Sequence, residues 1–351
     1  MAWQDYEHDT QRCTRCSYCH YIPWRYIKDF DYMQGCPSVA RYHWHAFAAG
    51  GKFNISYSLM QGAIELDDSV LDVLYKCMMD GSCDIACKVQ QDIEPLQHMQ
   101  ELRIECVDQG WLLPQHQPYL RSLRNEDNMM LKLRADRGAW AADLDVKRVT
   151  QESAEVVYFA GCRYSYDEEL WPTARAGVKL LQQAGVDVGI LGADEACCAG
   201  RAYELGYEGE LTKFAEHHAD TLKTVGAKVL VTPCSDCYGT FKVLYDKIGK
   251  KSGVEVYHIT QYLEKLIQEG KLKPKKPIDL KVTYHDPCHL GRLGEPWIHW
   301  EGKEYKPKGM QIWLHDPPKK YRRGINGVYD TPRNVIKSIP GLKLVEMYRT
   351  R

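Results

Sequence analysis

Fourteen cysteines in 351 residues are the part of this sequence best equipped to do chemistry. Thiolates are soft donors for zinc and iron, and paired thiols also run disulfide chemistry. Thirteen of the fourteen fall into three sets. The first is Cys13, Cys16, Cys19 and, after sixteen intervening residues, Cys36; the second is Cys77, Cys83 and Cys87. The third begins at Cys162 and runs through Cys197, Cys198, Cys234 and Cys237 to Cys288. Cys106 stands apart and reads as a small buried hydrophobe.

Cys13, Cys16 and Cys19 form C-x2-C-x2-C, a spacing that suits one face of a cubane iron–sulfur cluster whose fourth thiolate comes from elsewhere. The bacterial ferredoxin run C-x2-C-x2-C-x3-C-P opens in the same way, so the last spacer, ending at Cys36-Pro37, is expanded here. The second set, Cys77-Met-Met-Asp80-Gly-Ser-Cys83-Asp-Ile-Ala-Cys87, fits the same template with Asp80 in place of the second cysteine. In two-cluster ferredoxins the last cysteine of each run ligates the other cluster. By that rule Cys13, Cys16, Cys19 and Cys87 hold one [4Fe–4S] cluster, and Cys36, Cys77 and Cys83 hold a second. Asp80 is either its oxygen ligand or one half of an ordinary Asp-Gly turn. The second cluster is accordingly [4Fe–4S] with an oxygen ligand, or [3Fe–4S]. Zinc competes at the first set, since His20, His43 and His45 are close in sequence. His43 and His45, among Tyr42, Trp44 and Phe47, read as packing residues.

The elements that must position these thiols fall into two classes. Apolar residues recur at helical spacing before and after Cys77 (Val70, Leu71, Val73, Leu74; Ile93, Leu96, Met99, Leu102), so residues 37–125 read largely as helix. A polar stretch, about 119–155, shows no clear strand and reads as a connecting segment. From Glu155, short β-branched runs (156–159, 186–191, 228–232, 254–259, 281–284) alternate with helical stretches near 169–184, 202–225, 238–248 and 261–268. That alternation argues a parallel sheet flanked by helices. Cys162, Cys197-Cys198 and Cys234-x2-Cys237 each follow one of these strands, so the carboxyl edge of the sheet should gather five thiols. They read as one metal site, either an iron–sulfur cluster or zinc. Adjacent Cys197 and Cys198 cannot easily share one tetrahedral zinc but can reach two irons of a cluster.

The expected class is α+β: a helical module over 1–120, a connecting segment over 121–154, a Rossmann-like α/β domain over 155–280, and a second such half begun at 281–351. Lys plus Arg (46) against Asp plus Glu (47) leaves a formal charge of −1. No basic excess calls for nucleic acid or an anionic membrane. With 44% hydrophobic residues there is core enough for about two domains. The opening MAWQDYEHDTQRC has no signal pattern, and no window approaches a membrane span. The expected location is the cytoplasm, with any membrane association made through partners.

The pattern Cys162, Cys197-Cys198, Cys234-x2-Cys237 resembles the CCG-domain family, which includes heterodisulfide reductase subunits. Together with the N-terminal runs, the whole chain resembles an HdrD-like iron–sulfur protein of that heterodisulfide reductase group. The resemblance implies a noncubane [4Fe–4S] cluster, or zinc, at this motif, fed by two ferredoxin-type clusters. It implies an electron-transfer subunit of an anaerobic redox complex, or alternatively a catalytic subunit that reduces a heterodisulfide. Its expected partners are flavin- or iron–sulfur-containing redox proteins, such as an acyl-CoA reductase or an HdrA-like protein. The stretch Cys36-Pro37-Ser38-Val39-Ala40-Arg41-Tyr42 looks like the branch found with tungsten-dependent class II benzoyl-CoA reductases. No G-x-G-x-x-G after a strand and no C-x-x-C-H is present, so flavin, nicotinamide and haem belong to partners.

Three features depart from the family. Ala199 lies between the cysteine pair and Gly200, Asp80 replaces a cysteine, and Tyr284-His-Asp-Pro-Cys288-His-Leu-Gly-Arg292 opens a second motif with no further cysteines after it. Asp236 and His258 are candidate proton donors near the third set. Trp297, Trp300 and Trp313, among Lys306, Lys308, Lys319, Lys320, Arg322 and Arg323, mark either a partner surface or a segment packed on its own chain.

Overall fold

The computed structural model describes residues 2–90, 93–296, 298, 300–310, 313–318 and 324–349. The N-terminal third is helical because its apolar residues recur at three and four. Asp67 starts the helix Asp68–Tyr75 by accepting from the amides of Ser69 and Val70, each at 3.0 Å. That helix packs Val70, Leu71 and Leu74 against Met99, Leu102 and Cys106 of the helix Pro95–Asp108. Each buried leucine there contributes about 2 kcal/mol. Cys106 is fully buried in this core, a packing residue. His43, in contrast, is exposed rather than packed, because it sits at the left-handed end of the helix Pro37–Tyr42, where the chain turns outward.

Residues 147–258 form a five-stranded, all-parallel sheet in the order β1-β3-β2-β4-β5. The strands are β1 (Lys147–Arg148), β2 (Val156–Tyr158), β3 (Val188–Ile190), β4 (Val229–Thr232) and β5 (Glu255–His258). β1 lies within the stretch where the sequence shows no strand; two charged residues carry no β-branched signal, and pairing to Gly189 and Ile190 supplies the strand. Both sheet faces are covered. Val157 and Phe159 pack with the helix Glu208–Thr224 on one side, and Val156 and Tyr158 with the helix Trp171–Gln183 on the other. β3 and β4 flank β2 on opposite sides, so the chain reverses direction across the sheet at β2, where loops part and leave a crevice.

After Ile259–Gln268 the second half begins but does not rebuild a sheet of that size. β6 (Lys281–Val282) pairs in parallel with the late strand Lys343–Leu344, and the helix Asp330–Lys337 packs on Ile259–Gln268. Two further strands, Lys303–Tyr305 and Leu314–Asp316, form an antiparallel pair. This pair leans on the N-terminal helix: Arg12 bonds Glu304 at 2.9 and 3.1 Å, and Trp313 meets His8 edge-on at 5.4 Å. Trp300 donates to the carbonyl of Pro317 at 3.0 Å. The described part of the aromatic and basic segment thus packs on its own chain. Trp297, Lys319, Lys320, Arg322 and Arg323 lie outside the described residues.

Candidate iron–sulfur centres

Cys13 ends the helix Glu7–Arg12, and the loop to Cys19 turns through left-handed Arg15 (φ 59°) and Ser17 (φ 64°). Arg15 reaches back to the carbonyl of Thr10 at 2.8 Å, which offsets part of that strain. Cys13, Cys16, Cys19 and Cys87 line one cavity. Ala49 and Gly50, at the start of the helix Ala49–Met60, direct their amides at the Cys19 sulfur, and Ile93 directs its amide at that of Cys87. Cys16 is exposed and the other three are partly or fully buried. His45 is held by Ser17 at 3.3 Å, and its Nε2 is buried beside Cys13.

Cys36, Cys77, Cys83 and Asp80 line a second cavity, and Ala49 lines both. Cys36 receives the amide of Val39. Asp80 is paired with Arg292 at 3.0 Å, and the same Arg292 nitrogen lies 3.3 Å from the Cys288 sulfur. Cys288 therefore stands apart from the other thiols of its set, in a cleft that it shares with Asp80, His285 and His289. His289 pairs with Glu204 at 3.1 Å, and Asp286 with Arg333 at 2.7 and 2.8 Å. The incomplete second motif is tied by ion pairs to both earlier parts of the chain.

The other five cysteines of the third set meet at the carboxyl edge of β2, β3 and β4. Hydrogen bonds link their sulfurs in a string, Cys162 to Cys197 to Cys198 to Cys237 to Cys234. The bond from Cys197 holds the Cys162 thiol down at about 6, with burial opposing and the Arg137 charge helping. Flanking sulfurs push Cys197 and Cys237 up, while the bonds from Cys197 and Cys237 hold Cys198 down. Among the described residues no three of these donors close around a single ion. A string of sulfurs, with backbone amides turned to thiol sulfur at all three sites, fits clusters of several irons.

The support around the string is specific. His218, buried among Phe159, Phe241 and Tyr245, donates from Nε2 to the Cys197 carbonyl at 2.9 Å, and Tyr245 donates to that of Cys198 at 2.9 Å. Burial holds the His218 imidazole neutral, its pKa lowered to about 4. A one-turn π-helix, Thr240–Leu244, aims the Thr240 hydroxyl at Cys198. A Cβ on Gly200 would sit 2.0 Å from that oxygen, so this position admits only glycine. Ala199 is left-handed at φ 58°, a conformation that costs an alanine about 1 kcal/mol. Ala199→Gly is therefore expected to raise stability by about 1 kcal/mol, read from the midpoint of urea unfolding, with iron content unchanged.

His258 is occupied elsewhere: it donates to the Pro233 carbonyl at 3.1 Å and caps the helix Ile259–Gln268 through Thr260. Burial lowers its pKa to about 4, so it carries no proton to donate near neutrality. Asp236 lies on the cleft wall, paired with Arg201 at 2.8 Å. Two residues that spacing did not single out are buried at the sulfurs, Arg137 and Glu195. Arg137 lies in the stretch read as a connector; the one signal available was a charged residue flanked by alanine and tryptophan.

A cleft of about 810 Å3 opens along the five sulfurs, walled by Met79, Met129 and Met130 and by Cys77 of the second set. Such a crevice at a sheet reversal, lined by cysteines from three strand ends, defines a class of metal-binding α/β domain. Residues 156–242 match the cysteine-rich CCG domain, and the chain is a CCG-domain iron–sulfur protein of the HdrD-like kind. It is 29% identical to the HdrD chain of the dihydromethanophenazine:CoB–CoM heterodisulfide reductase of Methanosarcina barkeri, over 97% of this chain and 75% of that one. It is 32% identical to the EtfAB:quinone oxidoreductase of Syntrophomonas wolfei, over 62% of this chain and 26% of that protein. A probable iron–sulfur-binding oxidoreductase of Bacillus subtilis, FadF, is 29% identical over 79% of this chain and 36% of its own length. No solved structure matches the chain.

Proposed function

We propose that this chain is an electron-transfer subunit of a larger redox complex, with three iron–sulfur sites in series. The observation that carries the reading is the sharing of walls: Ala49 belongs to the first and second cavities, and Cys77 to the second cavity and the cleft of the third set. Cys13, Cys16, Cys19 and Cys87 would hold a [4Fe–4S] cluster. Cys36, Cys77 and Cys83 would hold a second, either [3Fe–4S] or completed by Asp80. The other five cysteines of the third set would hold a noncubane [4Fe–4S] cluster, with zinc as the competing occupant. When bound, such clusters supply one-electron redox chemistry. Exposed Cys16 places the first set nearest a docking donor, and Cys77 brings the second set against the third.

Relatives whose names describe an EtfAB:quinone oxidoreductase and part of a heterodisulfide reductase support redox subunits as partners. An acyl-CoA reductase, or an HdrA-like protein, fits that role. The expanded run ending Cys36-Pro37 favours the class II benzoyl-CoA reductase branch. Among the described residues no helix is long and apolar enough to cross a membrane. We place the chain in the cytoplasm, with partners supplying any membrane contact.

The cleft along the sulfurs favours one further reading, in which the chain itself reduces a disulfide. Metal and sulfide analysis of anaerobically purified protein, with EPR before and after dithionite, tests both readings. About twelve irons per chain, three four-iron clusters by ligand count, is the expected result. About eight irons with one zinc would leave a relay that ends at the second set and would sink the reductase reading. Turnover of a thiol–disulfide pair by the isolated chain would favour the reductase over the relay.

A further inference from the structure

Arg137 carries its charge at zero exposure, and although it lies 25 residues before Cys162 in sequence, the two are in contact in space. Its Nη2 lies 3.2 Å from the Cys162 sulfur and 3.4 Å from Glu195 Oε1, and its Nη1 donates to the Asp127 carbonyl at 2.9 Å. Asp127 in turn accepts the Cys197 amide at 2.8 Å, so one backbone carbonyl ties the arginine to the cysteine pair. The Tyr166 ring lies 5.6 Å from the guanidinium carbon. Glu195, also buried, is fixed by the amides of Ala160 and Gly161, each at 2.9 Å. A guanidinium placed only to neutralise this carboxylate would present both arms of its fork to it. Here the fork is divided, and one arm serves a thiol.

We propose that Arg137 is a positioning residue that sets the reduction potential of the centre held by Cys162, Cys197, Cys198, Cys234 and Cys237, with Glu195 as the opposing charge. The inference rests on the reading that these cysteines hold an iron–sulfur centre. Reduction adds negative charge to such a centre, and in a low-dielectric interior a cation in contact with a ligand sulfur favours the reduced state. An N–H···S bond acts in the same direction. The Glu195 carboxylate, held in place by two amides, acts against it. The pair therefore works as two levers of opposite sign on one centre, and both are rigid.

Potentiometric titration followed by EPR, on the full chain purified without air, with iron content and thermal unfolding measured in parallel, tests this. Arg137→Gln is expected to lower the one-electron reduction constant of the third centre at least tenfold, a shift of about 59 mV to more negative potential. Glu195→Gln is expected to move the midpoint by a similar amount in the positive direction, and the double variant to return close to the parent. The first two centres should not move. Should Arg137→Gln fail to fold because Glu195 is left unpaired, Glu195→Gln and the charge-retaining Arg137→Lys carry the test, the latter staying near the parent value. An iron-replete variant with an unmoved midpoint, or single variants that shift in the same direction, would overturn the role of Arg137 alone. A redox-silent zinc site would overturn this and the reading on which it rests.

Discussion

Cys198→Ser is expected to strip the third centre of its iron while leaving about eight irons at the first two sets. Cys198 is the middle member of the sulfur string: it contacts Cys197 and Cys237, and receives the Gly200 amide and the Thr240 hydroxyl. Serine keeps the shape but replaces a soft donor by a hard, weakly acidic one. Buried at this position, a hydroxyl cannot easily be ionised to serve in its place. Electron delivery from a reduced donor to a partner acceptor should fall at least about 100-fold, beyond the range seen when only residues supporting the ligands are altered. Iron and sulfide analysis with EPR checks the first effect, and stopped-flow oxidation of the reduced chain checks the second. Retention of about twelve irons would show that Cys198 is not a ligand.

Gly161→Ala is expected to produce the second large effect, through the backbone. Gly161 is left-handed at φ 78° at the end of β2, and an added Cβ would meet the Cys237 sulfur at 2.8 Å and the Cys234 Cβ at 3.6 Å. Conformational strain and overpacking together should cost about 2–4 kcal/mol. The displaced atoms belong to the sulfur string, so iron at the third centre should fall along with stability. Urea unfolding combined with iron content separates this from a simple loss of stability: Gly185→Ala, left-handed with open space around its Cβ position, incurs the strain without touching a sulfur and should keep its iron.

The identity of the chemistry was legible in residue types and spacing. Three thiolates at C-x2-C-x2-C, and thiols placed after successive β-branched runs, are local statements that need no tertiary knowledge. Strand and helix positions followed from periodicity of two and of three to four, and the carboxyl edge of a parallel sheet is where such thiols must gather. Val156, Val157 and Tyr158 are buried on both faces, and the run that they form is the signal of a covered sheet.

What periodicity cannot carry is contact between residues far apart in the chain. Arg137 looked like part of a polar connector because charge usually marks solvent, and only the folded chain shows its guanidinium divided between a sulfur and a carboxylate. The short strand Lys147–Arg148 has no intrinsic preference and exists because β3 offers it an edge. Cys288 looked like a member of the third set by motif, yet Arg292 holds it beside Asp80, more than two hundred residues away in sequence. Residue type and spacing by themselves determined which atoms can bind metal and on which elements they ride. The tertiary structure alone decided which of them share a cavity, and which charges are buried against them, because those depend on long-range packing that no local pattern encodes.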